Sequence, residues 1–361
     1  MCGGVNVKQL KDTYRHVIRT ADYFSDLDRT QYIRMDGNES IDGLPEEFVR
    51  DVLSEIDSNY LATYPSQKQC TEAIADRLNL PKENIFVTNG SDRAIKMVFE
   101  VYVGKDDRVI MTNPTFEMYG VYATMYGAKT VLVDYEMNSK REFEFPFDKY
   151  MEEIRQGAKL AVIVNPDNPT GAIVEPEKLI QLLEYAEKKD TLVIVDEAYY
   201  GFYDESVIRE ILQYNNLIVL RTFSKIMGLA GVRLGFLAAN EEILHDVKRV
   251  AAPAAVSTIS LKFGEKLMKR SDILDQLFSN YKREKEYLER KLSENNIIYI
   301  NSHANFLLIP CDKELKEVYE AFKENGILIA CKINKYIRIN IGNEQVTDEF
   351  IRVYKRIMFL K

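Results

Sequence analysis

Lys225 closes the segment Arg221-Thr-Phe-Ser-Lys225, which follows the apolar run Leu217-Ile-Val-Leu220. A lysine amine captures a carbonyl compound as a Schiff base once burial or a neighbouring cation brings its pKa down from about 10.4. Thr222 and Ser224 set hydroxyls around it, and Gly228 and Gly231 allow a tight path that returns Arg233 to the same place. Such a group suits a carbonyl cofactor bearing a phosphate. Taken alone, Lys225 also reads as a surface lysine.

Three further segments end apolar runs in the same way. Asp196 comes straight after Thr191-Leu-Val-Ile-Val195, where a carboxylate is costly unless it meets a cation or several donors. A protonated pyridine nitrogen would be such a cation, and a set of backbone N–H groups is the plainer reading. Asn89-Gly-Ser-Asp92 opens a helical pattern, so its N–H groups and the Ser91 hydroxyl offer either a phosphate cradle or an ordinary helix cap. Asn165-Pro-Asp-Asn-Pro-Thr-Gly171 is turn-forming, with Asn168 able to donate a side-chain hydrogen bond.

The elements needed to position these residues are visible as β-branched runs alternating with helical patterns between about Ile85 and Asn240. The runs are 84–88, 108–112, 129–133, 160–164, 191–195, 217–220 and 234–238. Several are apolar at consecutive positions, as in strands buried on both faces of a mostly parallel sheet covered by helices. The helical periodicity of Glu177–Lys189 fits a crossover. In such α/β sheets ligands bind beyond the carboxyl ends of strands, where the chemical residues fall. A long helical pattern over 257–295 then leads to short strands at 297–299, 306–309, 327–329 and 337–341. The expected organisation is a large domain over 59–256 and a smaller α+β domain from 1–58 and 257–361.

Composition excludes other classes. A formal charge of −8, with Glu interleaved in Lys282-Arg283-Glu284-Lys285, gives no basic surface for nucleic acid. Four cysteines and three histidines lie scattered, without a CxxC pair, so neither a zinc site nor a disulfide framework is expected. No GxGxxG follows the first strand, which argues against a nicotinamide-binding domain. The start of the chain lacks the apolar run of a signal peptide and no stretch reaches the roughly 18 apolar residues of a spanning helix, so a cytoplasmic protein is expected.

The ordered series Asn-Gly-Ser-Asp, Pro-Thr-Phe, Asn-Pro-Asp-Asn-Pro-Thr-Gly, Asp-Glu-Ala-Tyr, Ser-Lys and an arginine eight residues later resembles the class I/II aminotransferases. Within them it is most similar to histidinol-phosphate aminotransferases and to the related threonine-phosphate decarboxylases. The likeness runs from about Asp36 to Gly342. It implies a fold type I enzyme using pyridoxal 5′-phosphate (PLP), held as an imine on Lys225, which then shuttles the substrate proton. It implies that Asp196 holds the pyridine nitrogen protonated, that Asn168 and Tyr199 bond the phenolic oxygen, and that Phe116 stacks on the ring. Ser91, Asp92, Thr222, Ser224 and Arg233 would surround the phosphate. Tyr64 would reach the phosphate of a neighbouring subunit, making a homodimer with shared sites. Arg338 would bind the substrate carboxylate, for which a planar guanidinium is suited. Asn38 would face the substrate, and Asn305 lies in a further family motif.

The chain departs from that pattern at Gly326-Ile-Leu-Ile-Ala330, where the histidinol-phosphate enzymes carry Gly-Ile-x-x-Arg with an arginine for the substrate phosphate. Lys332 or Lys335 is the available substitute. The expected reaction is transamination between a small amino acid or amino-phosphate compound and a 2-oxo acid such as 2-oxoglutarate. PLP-dependent decarboxylation of a phosphorylated amino acid is the alternative on the same scaffold. A ligand-sensing module that kept the fold is the non-enzymatic alternative, disfavoured by the complete lysine, aspartate and arginine set.

Overall fold

The computed structural model describes residues 12–17, 27–333 and 335–359, without the side chains of Asp12 and Lys332. In chain order its strands are β1 (Ile33–Met35), β2 (Ile85–Thr88), β3 (Arg108–Asn113), β4 (Lys129–Asp134), β5 (Glu136–Met137), β6 (Phe143–Glu144) and β7 (Leu160–Val164). They continue with β8 (Leu192–Asp196), β9 (Leu217–Thr222), β10 (Gly235–Ala239), β11 (Phe306–Pro310), β12 (Ile327–Ile333) and β13 (Tyr336–Asn340).

All seven apolar runs of the central segment join one sheet, in the order β2-β10-β9-β8-β7-β3-β4. Its pairings are parallel except where β10 runs against β2 and β9. Alternate residues along the strands enter two different cores. Ile163, Val193, Val195 and Val219 face one, and Val162, Val164, Ile194 and Ile218 face the other. The first is covered by helix Pro176–Glu187 through Leu179, Leu182, Leu183 and Ala186, and the second by helix Gly90–Tyr102 through Ala94, Ile95, Val98 and Phe99. Each such Val, Leu, Ile or Phe side chain contributes roughly 1.5–3 kcal/mol on burial, which is why these runs are apolar at every position rather than alternating.

A second sheet has the order β1-β12-β13-β11, with β1 parallel to β12 and the other pairs antiparallel. It brings residues 33–35, from near the start of the chain, against its C-terminal third. Parts of the expected smaller domain, residues 1–11, 18–26, 334 and 360–361, lie outside the described residues.

Two expectations about elements need correction. The helical pattern over 257–295 is two helices, Thr258–Met268 and Ser271–Glu294. The break falls at Arg270, whose backbone leaves the helical region and whose guanidinium forks onto Asp272 in the first turn of the second helix. The run 297–299 is not a strand; Ile300 makes a single bridge to Leu308 instead. The strand β1 and the β5–β6 hairpin carried no clear alternation in the sequence.

Candidate active site

At the carboxyl ends of β7, β8 and β9 a cavity of about 200 Å³ opens between the two sheets. Its wall includes Ser91, Asp92, Phe116, Asn168, Asp196, Tyr199, Thr222, Ser224, Lys225, Arg233, Asn38 and Arg338. Twelve of the thirteen residues expected at the site therefore meet there. The thirteenth, Tyr64, is 89% exposed and takes no part in this wall.

One end of the cavity is a ring of donors. Helix Gly90–Tyr102 starts at the end of β2 and directs its first N–H groups outward. Arg233 Nη1 donates to Ser224 Oγ at 3.2 Å, and Thr222 Oγ1 donates to the same hydroxyl at 3.0 Å. Arg233 itself adopts a left-handed backbone, φ 56°, which turns its guanidinium back over the helix start. Gly90 is required beneath it: its φ is +74°, and a Cβ there would lie 2.9 Å from Arg233 Nη2. Gly235 is required for the same close approach, since its Cβ would meet Ser91 N at 2.6 Å.

Asp196 ends β8 fully buried. Its Oδ2 accepts from Tyr119 Oη at 2.7 Å and its Oδ1 from the Ala198 N–H at 3.0 Å. Burial is the largest influence on it and pushes its pKa up to about 6, against the pull of those two donors. A cation facing the carboxylate would remove that penalty.

Lys225 Nζ donates to Gly37 O at 3.1 Å and lies 5.7 Å from the Tyr199 ring centroid. Desolvation, and then the Arg338 and Arg233 guanidinium groups, lower its pKa to about 7, although Glu39 and Asp92 oppose them. The amine is thus available as a nucleophile at neutral pH. Arg338, buried on β13, donates to Asn168 Oδ1 and to Asp36 O, both at 2.7 Å. With its oxygen so used, Asn168 has its NH₂ left to donate into the cavity. Tyr199 is buried, and its Oη accepts from Asn38 Nδ2 at 2.8 Å.

The fit to a phosphorylated pyridine aldehyde is therefore close: a donor ring at one end, a buried carboxylate short of a cation, and an amine of lowered pKa beside them. Phe116 lines the wall and meets Tyr119 edge-on, with 6.3 Å between ring centroids.

The model of the family "Aminotransferase class I and II" matches residues 31–353. The chain belongs to the class I and II aminotransferases. A histidinol-phosphate aminotransferase of Clostridium kluyveri is 31% identical over 335 residues, covering 90% of this chain and 93% of that protein. One from Thermoanaerobacter pseudethanolicus is 32% identical over 334 residues, with the same coverage. Among solved structures, the histidinol-phosphate aminotransferase of Sinorhizobium meliloti in complex with pyridoxal-5′-phosphate superposes with a TM-score of 0.84 at 19% identity, covering 97% of this chain and 98% of that one. The L-threonine-O-3-phosphate decarboxylase of Porphyromonas gingivalis superposes with a TM-score of 0.77 at 19% identity, covering 90% of this chain and 99% of that one. This aminotransferase has the α/β architecture of fold type I, and pyridoxal 5′-phosphate is its cofactor.

Several groups of the site had no signal in the sequence. Tyr119 is marked only by standing three residues after Phe116. The backbone carbonyls of Asp36 and Gly37 hold Arg338 and Lys225, and carbonyls have no residue type to read. Of the two lysines read as substitutes for the missing arginine, Lys335 is exposed in the turn between β12 and β13 and does not line the cavity; the side chain of the other, Lys332, lies outside the described residues. Among the described residues no group of His, Cys, Asp and Glu is arranged to hold a metal, and no helix is long and apolar enough to cross a membrane.

Proposed function

We propose that this aminotransferase moves an amino group between a small amino acid or amino-phosphate compound and a 2-oxo acid such as 2-oxoglutarate. The observation that carries the reading is the convergence of Lys225, lowered to about 7, with the buried Asp196 and Arg338 on one cavity. When bound, the cofactor supplies an aldehyde for an amine to capture and an electron-withdrawing ring that acidifies the substrate Cα–H.

Each residue then has a task. Asp196 faces the ring nitrogen and keeps its proton in place, and Tyr119 holds that carboxylate in line. Arg233, Ser224, Thr222, Ser91 and Asp92 seat the phosphate end, with Phe116 against the ring face. Asn168 and Tyr199 donate to the phenolic oxygen. Arg338 binds the substrate carboxylate bidentately, which orients Cα so that Lys225 Nζ would take its proton and deliver it to the carbon that carried the cofactor's aldehyde oxygen. Its present bonds to Asn168 and Asp36 O hold the guanidinium ready.

Further parts of the reading concern the assembly. Tyr64, exposed in this protomer, is read as reaching the phosphate of a second copy in a homodimer. The two sheets support a division into a large domain over 59–256 and a small one from 1–58 and 257–361. The enzyme is read as cytoplasmic.

The deciding experiment loads the protein with PLP and adds a panel of amino acids, phosphorylated ones included, while following bleaching of the visible band. Bleaching with release of a carbonyl product, restored by 2-oxoglutarate, is expected. Release of CO₂ without amino-group transfer would replace the reading with decarboxylation.

A further inference from the structure

The loop 36–39 touches three functional side chains in succession. Asp36 O accepts from Arg338, Gly37 O accepts from Lys225, and the Asn38 amide donates to Tyr199. The third contact is a side-chain bond and depends on residue type. Resting on the function proposed above, we propose that Asn38 is a positioning residue, which fixes the direction in which the Tyr199 hydroxyl donates its proton.

The argument begins with polarity. An amide NH₂ can only donate, so at 2.8 Å from Asn38 Nδ2 the Tyr199 oxygen is the acceptor. A phenol has one proton, and with that lone pair engaged the proton points elsewhere. Both residues are buried, Asn38 to 1% and Tyr199 to 3% exposure, so no bulk water competes for the choice. The same donor opposes the burial that otherwise raises the tyrosine pKa.

Asn38 is held for this purpose from three sides. Its backbone is left-handed, φ 56°, a conformation asparagine tolerates better than most residues. Its N–H donates to Asn340 Oδ1 at 3.1 Å, and its carbonyl accepts from Asn305 Nδ2 at 3.1 Å. Asn340 and Asn305 are themselves buried, one on β13 and the other just before β11. Two asparagines from distant segments thus fix the backbone of a third. The Asn38 Oδ1 meets no partner among the described residues, so the side chain gains little from its orientation except the bond to Tyr199.

The consequence is a hydroxyl that is set to donate to the phenolic oxygen of the cofactor before substrate arrives. A donor there stabilises the deprotonated form of the lysine-bound cofactor and lowers the pH at which its colour changes.

The test is a spectroscopic titration of the PLP-loaded enzyme without substrate, with thermal stability measured alongside. Asn38→Gly keeps the left-handed backbone and removes the amide; Asn38→Asp keeps the shape but offers only acceptors. Tyr199→Phe should raise the colour-change midpoint by about one pH unit, a tenfold change in the proton equilibrium. Asn38→Gly should raise it by part of that shift, and Asn38→Asp by nearly all of it. In the Tyr199→Phe background Asn38→Asp should add little. An unchanged midpoint in Asn38→Gly, or an Asn38→Asp shift equally large with and without the tyrosine hydroxyl, overturns the proposal, because the residue would then act through stability or charge alone. If Lys225→Ala retains the wild-type colour change, the underlying assignment fails instead. A midpoint that moves with Tyr199 but ignores Asn38 defeats this inference only.

Discussion

Glu197 and Arg221 form a buried ion pair, with Arg221 Nη2 and Nε donating to Glu197 Oε2 at 2.7 and 2.9 Å. Glu197 follows Asp196 at the end of β8, and Arg221 precedes Thr222 on β9, so the pair ties together the two strand ends that carry the site. Ser206 Oγ and the Val207 N–H complete the carboxylate, and the guanidinium lies 3.5 Å over the Tyr200 ring. Removing one partner strands a buried charge at a cost of roughly 3–5 kcal/mol. Arg221→Met and Glu197→Gln should each lower the urea midpoint by that equivalent, and the double variant by less than their sum. Strict additivity would show that the pair is not coupled.

Lys225→Ala is expected to abolish turnover while leaving the circular dichroism spectrum and melting transition close to wild type. Its visible absorption with PLP should differ from that of the parent. Near-normal kcat in this variant would contradict the mechanism.

The pH dependence of stability in cofactor-free protein separates the two buried groups. Lys225 titrates near 7 when folded and near its ordinary value of 10.5 when unfolded. Between these values the unfolded chain binds more protons, so this group makes stability rise with pH and fall again as pH drops toward 7. Asp196 goes the other way: raised from 3.8 to about 6 when folded, it favours the native state at low pH, and that contribution is lost as pH rises through 6. Lys225→Met should flatten the alkaline limb of the urea midpoint against pH, and Asp196→Asn should reduce the acid limb without removing it, because the buried Asp167, pushed up to about 7 by desolvation, acts in the same direction. An alkaline limb that survives Lys225→Met unaltered would refute the lowered amine.

Ala330 stands directly opposite Arg338 in the antiparallel pairing of β12 with β13. Side chains at paired positions share a face, with Cβ atoms about 5 Å apart. Ala330→Arg should therefore set a second guanidinium beside the first and improve kcat/KM for phosphorylated donors relative to unphosphorylated ones by about tenfold, the equivalent of one charge-assisted bond. No change in that ratio would show that the β12 position does not reach the substrate.

Shared sites can be tested by mixing subunits. Tyr64→Ala and Lys225→Ala homodimers should each have little activity. Their mixed dimer contains one site with the wild-type lysine and the wild-type tyrosine, so activity should return on exchange. Failure to complement, with exchange demonstrated, would remove Tyr64 from the neighbouring site.

The sequence by itself determined the parts that depend on local pattern or on residue type. Continuous apolar runs such as 160–164 and 217–220 have no stable place except inside a sheet covered on both faces, and both became central strands. Lys225 and Asp196 were legible because each is a charged residue a few positions beyond such a run, where burial makes its charge expensive without a purpose, and Arg233 because Gly228 and Gly231 let the chain after Lys225 turn back. Tertiary structure decided what depends on contacts between distant segments. Asn38 is 267 residues from Asn305 and 302 from Asn340, and no spacing rule links them. The carbonyls that hold Arg338 and Lys225 belong to the backbone, which is the same at every position, so only folding could bring Asp36 and Gly37 to them. The break at Arg270 and the pairing of β1 with β12 were likewise settled by packing, because neither element has enough local periodicity to fix its own ends.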